Sequence, residues 1–182
     1  MRIFLALPLA AAFENELAAA LAKAQNLMEG VKWADPQTIH ATFHFFGETT
    51  PGQLQQIKFL VEPLTRRAAP LQTALKGIGF FPNAQAPRIV WGDMMNPDQR
   101  LVPLQQAIEK ELELAGFECE KRPFKPHATI GRVKGKFRCA EGLELVLPET
   151  SVRAIDRLVI YKSQSDAAGS HYEIIESFPL AG

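Results

Sequence analysis

His-Ala-Thr-Phe at positions 40–43 and His-Ala-Thr-Ile at 127–130 are nearly the same four residues, set in a chain of 182 residues that holds only four histidines. The first copy lies in IHATFHFFG, a run of β-formers stopped by Gly47 and the Pro51-Gly52 pair; the second follows Pro126, a residue tolerated at the first position of a strand. Both copies therefore read as strands. Side chains alternate across a strand, so His40 and Thr42 share one face while Ala41 and Phe43 take the other, and His127 and Thr129 separate in the same way from Ala128 and Ile130. At a rise of ~3.3 Å per residue, each imidazole stands ~7 Å from its hydroxyl, close enough for both to engage one tetrahedral anion. By the same alternation His44 falls on the face of His40 and Thr42.

Two such strands facing each other would bring two imidazoles and two hydroxyls to one phosphate. Cleavage of a phosphodiester needs a base for the nucleophile and an acid for the leaving oxygen, and histidine, with an unperturbed pKa near 6.5, serves either role at neutral pH. Threonine hydroxyls donate to non-bridging oxygens, and Arg132, three residues after Thr129, adds charge where the transition state accumulates it. This chemistry needs no metal, and a strained five-membered cyclic phosphate suits it better than a linear diester. A zinc site would need three or four ligands. His44 and His171 show no ligand spacing, and Cys119 and Cys139 form no CxxC pair, so neither a metal nor a disulfide framework is expected.

Around the motifs the chain alternates strand and helix signals. Arg2 to Leu7 reads as a strand and Ala11 to Met28 as a helix ending at Gly30, followed by a short extended piece at Val31 to Trp33. Further helices are expected over 51–67, with Leu54, Ile57, Leu60, Val61 and Leu64 as the buried stripe, and over 98–114, with Leu101, Leu104, Ile108 and Leu112. Strands are expected over 71–81 and 88–94, then over 152–162 and 171–178, the last two flanking the hairpin-like SQSDAAGS. The length suits one compact unit with two lobes, and no Gly/Ser-rich linker separates them.

Composition narrows the function classes. Twenty basic and twenty acidic side chains cancel, which argues against indiscriminate binding to duplex nucleic acid. Locally, KRPFKPHATIGRVKGKFR at 121–138 carries seven Lys or Arg and no acid, and it encloses the second motif. That stretch suits a polyanion. No apolar run approaches a membrane span, and the opening MRIFLALPLAAAF is broken by Pro8 and followed by Glu14 and Glu16, so a cytoplasmic location is expected. There is no Walker-type loop, GxGxxG or GxSxG, hence no support for a nucleotide cofactor or a serine hydrolase. Phe43, Phe45, Phe46, Phe80, Phe81, Phe124 and Trp91 are candidates for stacking on bases, though most are expected in the core.

The paired His-x-Thr-x frames resemble those of the two-histidine phosphoesterase superfamily. The finer likeness is to the RNA 2',3'-cyclic phosphodiesterases, also known as 2'-5' RNA ligases, and it extends over RIFLALPL, VKWADPQTIHATFHFFGE, GIGFFPNAQAPRIVWGD, RPFKPHATIGRVK and HYEIIESFPL, nearly the whole chain. The resemblance implies an α+β fold of two antiparallel-sheet lobes with helices outside and a central cleft, spanning residues 1–182 as one domain. It implies opening of an RNA-terminal 2',3'-cyclic phosphate to a 2'-phosphate, with tRNA half-molecules among the substrates and 2'-5' joining as the reverse reaction of some members. Carried onto this sequence, His40 donates a proton to the departing 3' oxygen, His127 is the base acting on water, Thr42 and Thr129 hold the phosphate, and Arg132 is the basic residue that follows the second motif. No cofactor, metal or obligate protein partner is implied. Two other readings stand beside this one: a protein that holds an RNA end without turning it over, and a phosphodiesterase for a small nucleotide such as ADP-ribose 1",2"-cyclic phosphate.

Overall fold

The computed structural model describes residues 1–139, 150–165 and 170–182. Two antiparallel sheets are interleaved along the chain. Strand β1 (Arg2–Pro8), β3 (His40–Glu48), β8 (Arg157–Ser165) and β9 (Ser170–Pro179) form the first sheet in the order β3-β1-β8-β9. The second holds β2 (Met28–Trp33), β4 (Leu71–Phe81), β5 (Ile89–Met95), β6 (His127–Cys139) and β7 (Arg153–Ile155) in the order β2-β6-β5-β4-β7. The α+β, two-lobed expectation holds, but neither lobe is a contiguous piece of sequence. One buried cluster joins residues of both sheets and of the helices, from Ile3 and Phe13 to Ile130 and Phe178.

Five successive buried residues, Ile3 to Leu7, make β1 a central strand covered on both faces. Helix α1 (Ala10–Leu27) buries Phe13, Leu17, Ala20, Leu21 and Ala24 and packs against β2 and β7. It ends at Leu27, not at Gly30: Met28 is already extended and pairs with Cys139, and Gly30 lies inside β2 at φ +79°. Helix α2 (Pro51–Arg66) starts on a capping box, Thr50 with Gln53, and Pro51 occupies the first turn, where its missing N–H costs nothing. Its buried residues are Ile57, Val61 and Thr65, with Leu54, Leu60 and Leu64 half-buried along the edge of the stripe.

Helix α3 (Leu101–Leu114) buries Leu101, Leu104, Ile108 and Leu112 as the periodicity requires. It begins three residues later than the sequence suggests. The Asp98 carboxylate is taken up by the backbone N–H of Gln72 at 2.8 Å and by Arg100 at 2.8 Å, so it ties the loop to β4 instead of opening the helix. The expected strand over 152–162 is two strands in different sheets. Leu71 to Thr73 pair with Arg153 to Ile155, while Ile3 to Ala6 pair with Val159 to Lys162, and the chain passes between sheets at Asp156. Of SQSDAAGS, residues 166–169 lie outside the described residues; the flanking strands pair up to Ser165 and Ser170, as a hairpin demands.

Candidate active site

Each histidine frame sits on a strand with one extra residue at the same place. In β3, Thr42 pairs with Ala6 and His44 with Leu5, so Phe43 has no partner of its own; in β6, Thr129 pairs with Trp91 and Gly131 with Val90, leaving Ile130 as the extra residue. Such a bulge interrupts the alternation of faces. Ala41, Phe43 and His44 are buried in one strand, and Ala128, Ile130 and Gly131 in the other. The frames are thus duplicates in conformation as well as in sequence.

The bulge overturns the expectation for His44. It faces the core, not the cleft, at 6% exposure, and its Nδ1 lies 2.8 Å from the Glu109 carboxylate of α3. Gln105 donates to the same carboxylate at 3.1 Å and to the Phe43 carbonyl at 3.2 Å, so α3 is fastened to the bulge itself. Burial raises the Glu109 pKa, but the hydrogen bonds from His44 and Cys119 outweigh it and the carboxyl ends up below its usual range. The Cys119 thiol is pushed up to about 12 by burial and by Glu109. His44, Glu109 and Cys119 are the one set among the described residues with three potential metal ligands mutually within 4.8 Å. Their separation in sequence hides the cluster from any spacing rule, and a metal there would first have to displace the thiol proton.

Past the bulge, the next residue returns to the histidine face. On β3 this is Phe45, 50% exposed and stacked on Phe4 at 6.0 Å; on β6 it is Arg132. Without the bulge Arg132 would point away from His127 and Thr129. Instead its charge reaches His40 in the opposite sheet, as does that of His127, and β3 packs against β6. The strands that carry His40 and His127 are thus neighbours, and Arg132 and His127 are close enough for their charges to act on His40, with Thr42 and Thr129 half-buried on the same two strands.

The two imidazoles are held alike. His40 Nδ1 lies 2.7 Å from the Thr38 carbonyl and His127 Nδ1 lies 2.8 Å from the Lys125 carbonyl, each two residues upstream. A carbonyl only accepts, so the proton of each neutral ring resides on Nδ1 and Nε2 is the nitrogen left for chemistry. Their surroundings differ. His40 is packed by Phe4 at 4.7 Å, Tyr172 edge-on at 5.1 Å and Tyr161 at 5.5 Å, from β1, β9 and β8. Burial is the main cause that holds its pKa below 6.5; the Thr38 carbonyl opposes the shift, and the charges of Arg132 and His127 add to it. His127 has Phe81 edge-on at 5.2 Å and Trp91 at 5.9 Å, with the Lys125 ammonium 4.1 Å above the Trp91 ring.

Of the aromatics named from sequence, Phe45 and Phe81 border the histidine faces and Phe43 is core. Phe4, Tyr161 and Tyr172 escape the sequence reading. Phe4 pairs directly with both Phe45 and Tyr161, a row that only the strand order β3-β1-β8-β9 creates.

Fold and paired frames define the class, a two-lobed phosphoesterase. The chain belongs to the LigT-like phosphoesterase family, whose description is "LigT like Phosphoesterase" and whose model matches residues 7–91 and 94–169. Similar curated proteins include the RNA 2',3'-cyclic phosphodiesterase of Methanothermobacter thermautotrophicus, 33% identical over 82% of this chain and 83% of its own length. That of Thermotoga maritima is 31% identical over 100% of this chain and 97% of its own. Among solved structures, TT0787 of Thermus thermophilus superposes with a TM-score of 0.82 at 27% identity, covering 100% of this chain and 99% of that one. Escherichia coli LigT complexed with 3'-AMP shares the fold, with a TM-score of 0.79 at 20% identity over 100% and 98% of the two chains.

Proposed function

We propose that this protein hydrolyses an RNA-terminal 2',3'-cyclic phosphate to a 2'-phosphate, using His40 and His127 as its acid and base. The observation that carries the reading is the matched pair of latched imidazoles, each with Nδ1 on a carbonyl and Nε2 left free, on neighbouring strands with the charge of Arg132 acting on His40. Water attacks phosphorus as His127 Nε2 takes its proton; the bond from phosphorus to O3' breaks, and the proton on His40 Nε2 passes to O3', leaving the phosphate on O2'. Thr42 and Thr129 donate hydroxyl hydrogen bonds to the non-bridging oxygens, and Arg132 stabilises the charge that grows there. Both proton transfers are assigned to side chains, so the sequence of steps calls on no metal.

The lowered pKa of His40 fits a donor. Its imidazolium is a stronger acid than a solvated one, and the negative charge of a bound cyclic phosphate offsets the charges of Arg132 and His127 that push it down. A 5'-hydroxyl in the place of water would give a 2'-5' linkage by the same transfers. We place the reaction in the cytoplasm, in one two-lobed domain acting on cyclic-phosphate RNA ends such as those of tRNA halves. No helix among the described residues is long and apolar enough to cross a membrane.

The test is direct. An oligoribonucleotide ending in a 2',3'-cyclic phosphate, incubated with the purified protein and a chelator, should yield only the 2'-phosphate. A 3'-phosphate product, or loss of turnover on chelation, would refute the assignment.

A further inference from the structure

Beyond Arg132, strand β6 leaves its regular register. Val133 pairs with Val31 and Arg138 with Glu29, so four residues of β6, 134–137, stand opposite the single residue Gly30 of β2. The surplus residues must bow away from the regular ladder there. Gly30 permits the bow twice over: its φ of +79° is a left-handed conformation, and a Cβ at that position would collide with the Lys136 carbonyl. The far end is pinned by Phe137, which packs on the core and meets Phe80 edge-on at 5.6 Å.

What the bow displays is charge. Lys134, Gly135 and Lys136 are exposed, and neither lysine makes an ion pair among the described residues. Arg138, at the end of the bow, pairs with Glu29 at 3.4 Å and is partly neutralised. At the start stands Arg132, and Lys32 is its cross-strand partner. Two exposed ammonium groups on a shaped, anchored element thus continue outward from the arginine that reaches His40.

We propose that the bow is the binding site for the single-stranded RNA just upstream of the cyclic end, with Lys134 and Lys136 each meeting one backbone phosphate. This rests on the reading of the cleft as a cyclic-phosphate site and gives that site a substrate class, an oligonucleotide over a mononucleotide. Lys134 and Lys136 are separated by the single residue Gly135, and both are exposed, so each ammonium is available to a separate backbone phosphate. Ammonium groups meet phosphates and carry no base-reading pattern, so the contact is electrostatic and indifferent to sequence.

The experiment compares wild type with a Lys134→Gln/Lys136→Gln double variant on two substrates, a nucleoside 2',3'-cyclic phosphate and an eight-residue RNA with a 2',3'-cyclic end. The variant should lose about tenfold in kcat/KM on the RNA and keep its rate on the mononucleotide. The slope of log affinity for that RNA against log salt should fall by about 1.4, roughly 0.7 for each single-strand phosphate that is no longer neutralised. Equal losses on both substrates, or an unchanged rate and slope on the RNA, would overturn the proposal. If wild type turns over neither substrate, the reading of the cleft fails instead, and fluorescence anisotropy of a labelled RNA still decides the bow. Weaker, less salt-sensitive binding by the variant would support it; identical binding curves would overturn it.

Discussion

The His40 and His127 frames are built to one plan and then furnished differently. Both carry a bulge at the fourth residue, bury the same positions and latch Nδ1 to a carbonyl two residues upstream. The second residue after the bulged one departs from the plan: Phe45 in one lobe, Arg132 in the other. Around His40 the face is aromatic, with Phe4, Tyr161 and Tyr172; around His127, Phe81 and Trp91 are joined by the Lys125 ammonium, and Arg132 lies further along the same strand. The shared plan presents two imidazoles in the same way, each with Nδ1 on a carbonyl. The furnishing makes their surroundings unequal, one ring packed among aromatic side chains and depressed in pKa by burial, the other edged by Phe81 and Trp91.

The sameness of the frames is the easiest part to break. Replacing either His40 or His127 by Ala should reduce hydrolysis of a cyclic-ended oligonucleotide by ~10² or more, because each removes one proton carrier from the same step. The double variant should be little worse than either single, since the pair acts as a unit. Steady-state kinetics on the three variants with RNA-binding controls checks this, and wild-type turnover in either single variant would sink the pairing.

Exchanging the residues after the bulges tests the difference. Arg132→Phe, which gives the second frame the furnishing of the first, should cost about 10- to 100-fold in kcat as charge stabilisation is lost. Phe45→Arg should change kcat less than a few-fold, because on that side the phosphate is assigned a hydroxyl and an imidazole but no arginine. Comparable losses from both would mean that the lobes share the phosphate equally.

A smaller effect concerns pH. His40, walled in by Phe4, Tyr161 and Tyr172 and facing Arg132 and His127, has a pKa below 6.5. As proton donor it must start protonated, so kcat/KM falls as pH rises through that lowered value in the free enzyme. With phosphate bound its pKa rises, and the alkaline limb of kcat should lie at higher pH than that of kcat/KM. Tyr172→Ala admits water, relieves desolvation and should move the kcat/KM limb upward. A limb that stays in place would remove His40 from the donor role.

The least dramatic prediction addresses the bulge of β6. A Cβ on Gly131 would sit 2.6 Å from Val31 Cγ1, where the core side of the bulge meets β2. Gly131→Ala should cost about 1–3 kcal/mol by overpacking, read from denaturant midpoints. A stability equal to wild type would show that β2 yields there.

The sequence reveals much of this because most strands and the three α-helices among the described residues carry a clear period. The boundaries of β4 agree at both ends, and the stripe of α3 is read residue by residue. What escapes it depends on partners. Alternation puts His44 in the cleft because it cannot show that Phe43 lacks a cross-strand neighbour. The 152–162 stretch reads as one strand since nothing local marks Asp156 as the passage between sheets. The aromatic row of Phe45, Phe4 and Tyr161 joins residues from both ends of the chain, and the cluster of His44, Glu109 and Cys119 spans three separate stretches of it. Arg132 stands out in the sequence for its place after the motif, whereas its place on the same face as His127 comes from the bulge.

Both imidazoles are assigned to one phosphorus atom, and a crystal structure with a nucleoside 2'-phosphate product bound would show whether they reach it. Nε2 of His40, Nε2 of His127 and the hydroxyls of Thr42 and Thr129 should all lie within about 3.2 Å of oxygens of that single phosphate. A phosphate held by one histidine alone, with the other ring beyond reach even through one water, would contradict that assignment.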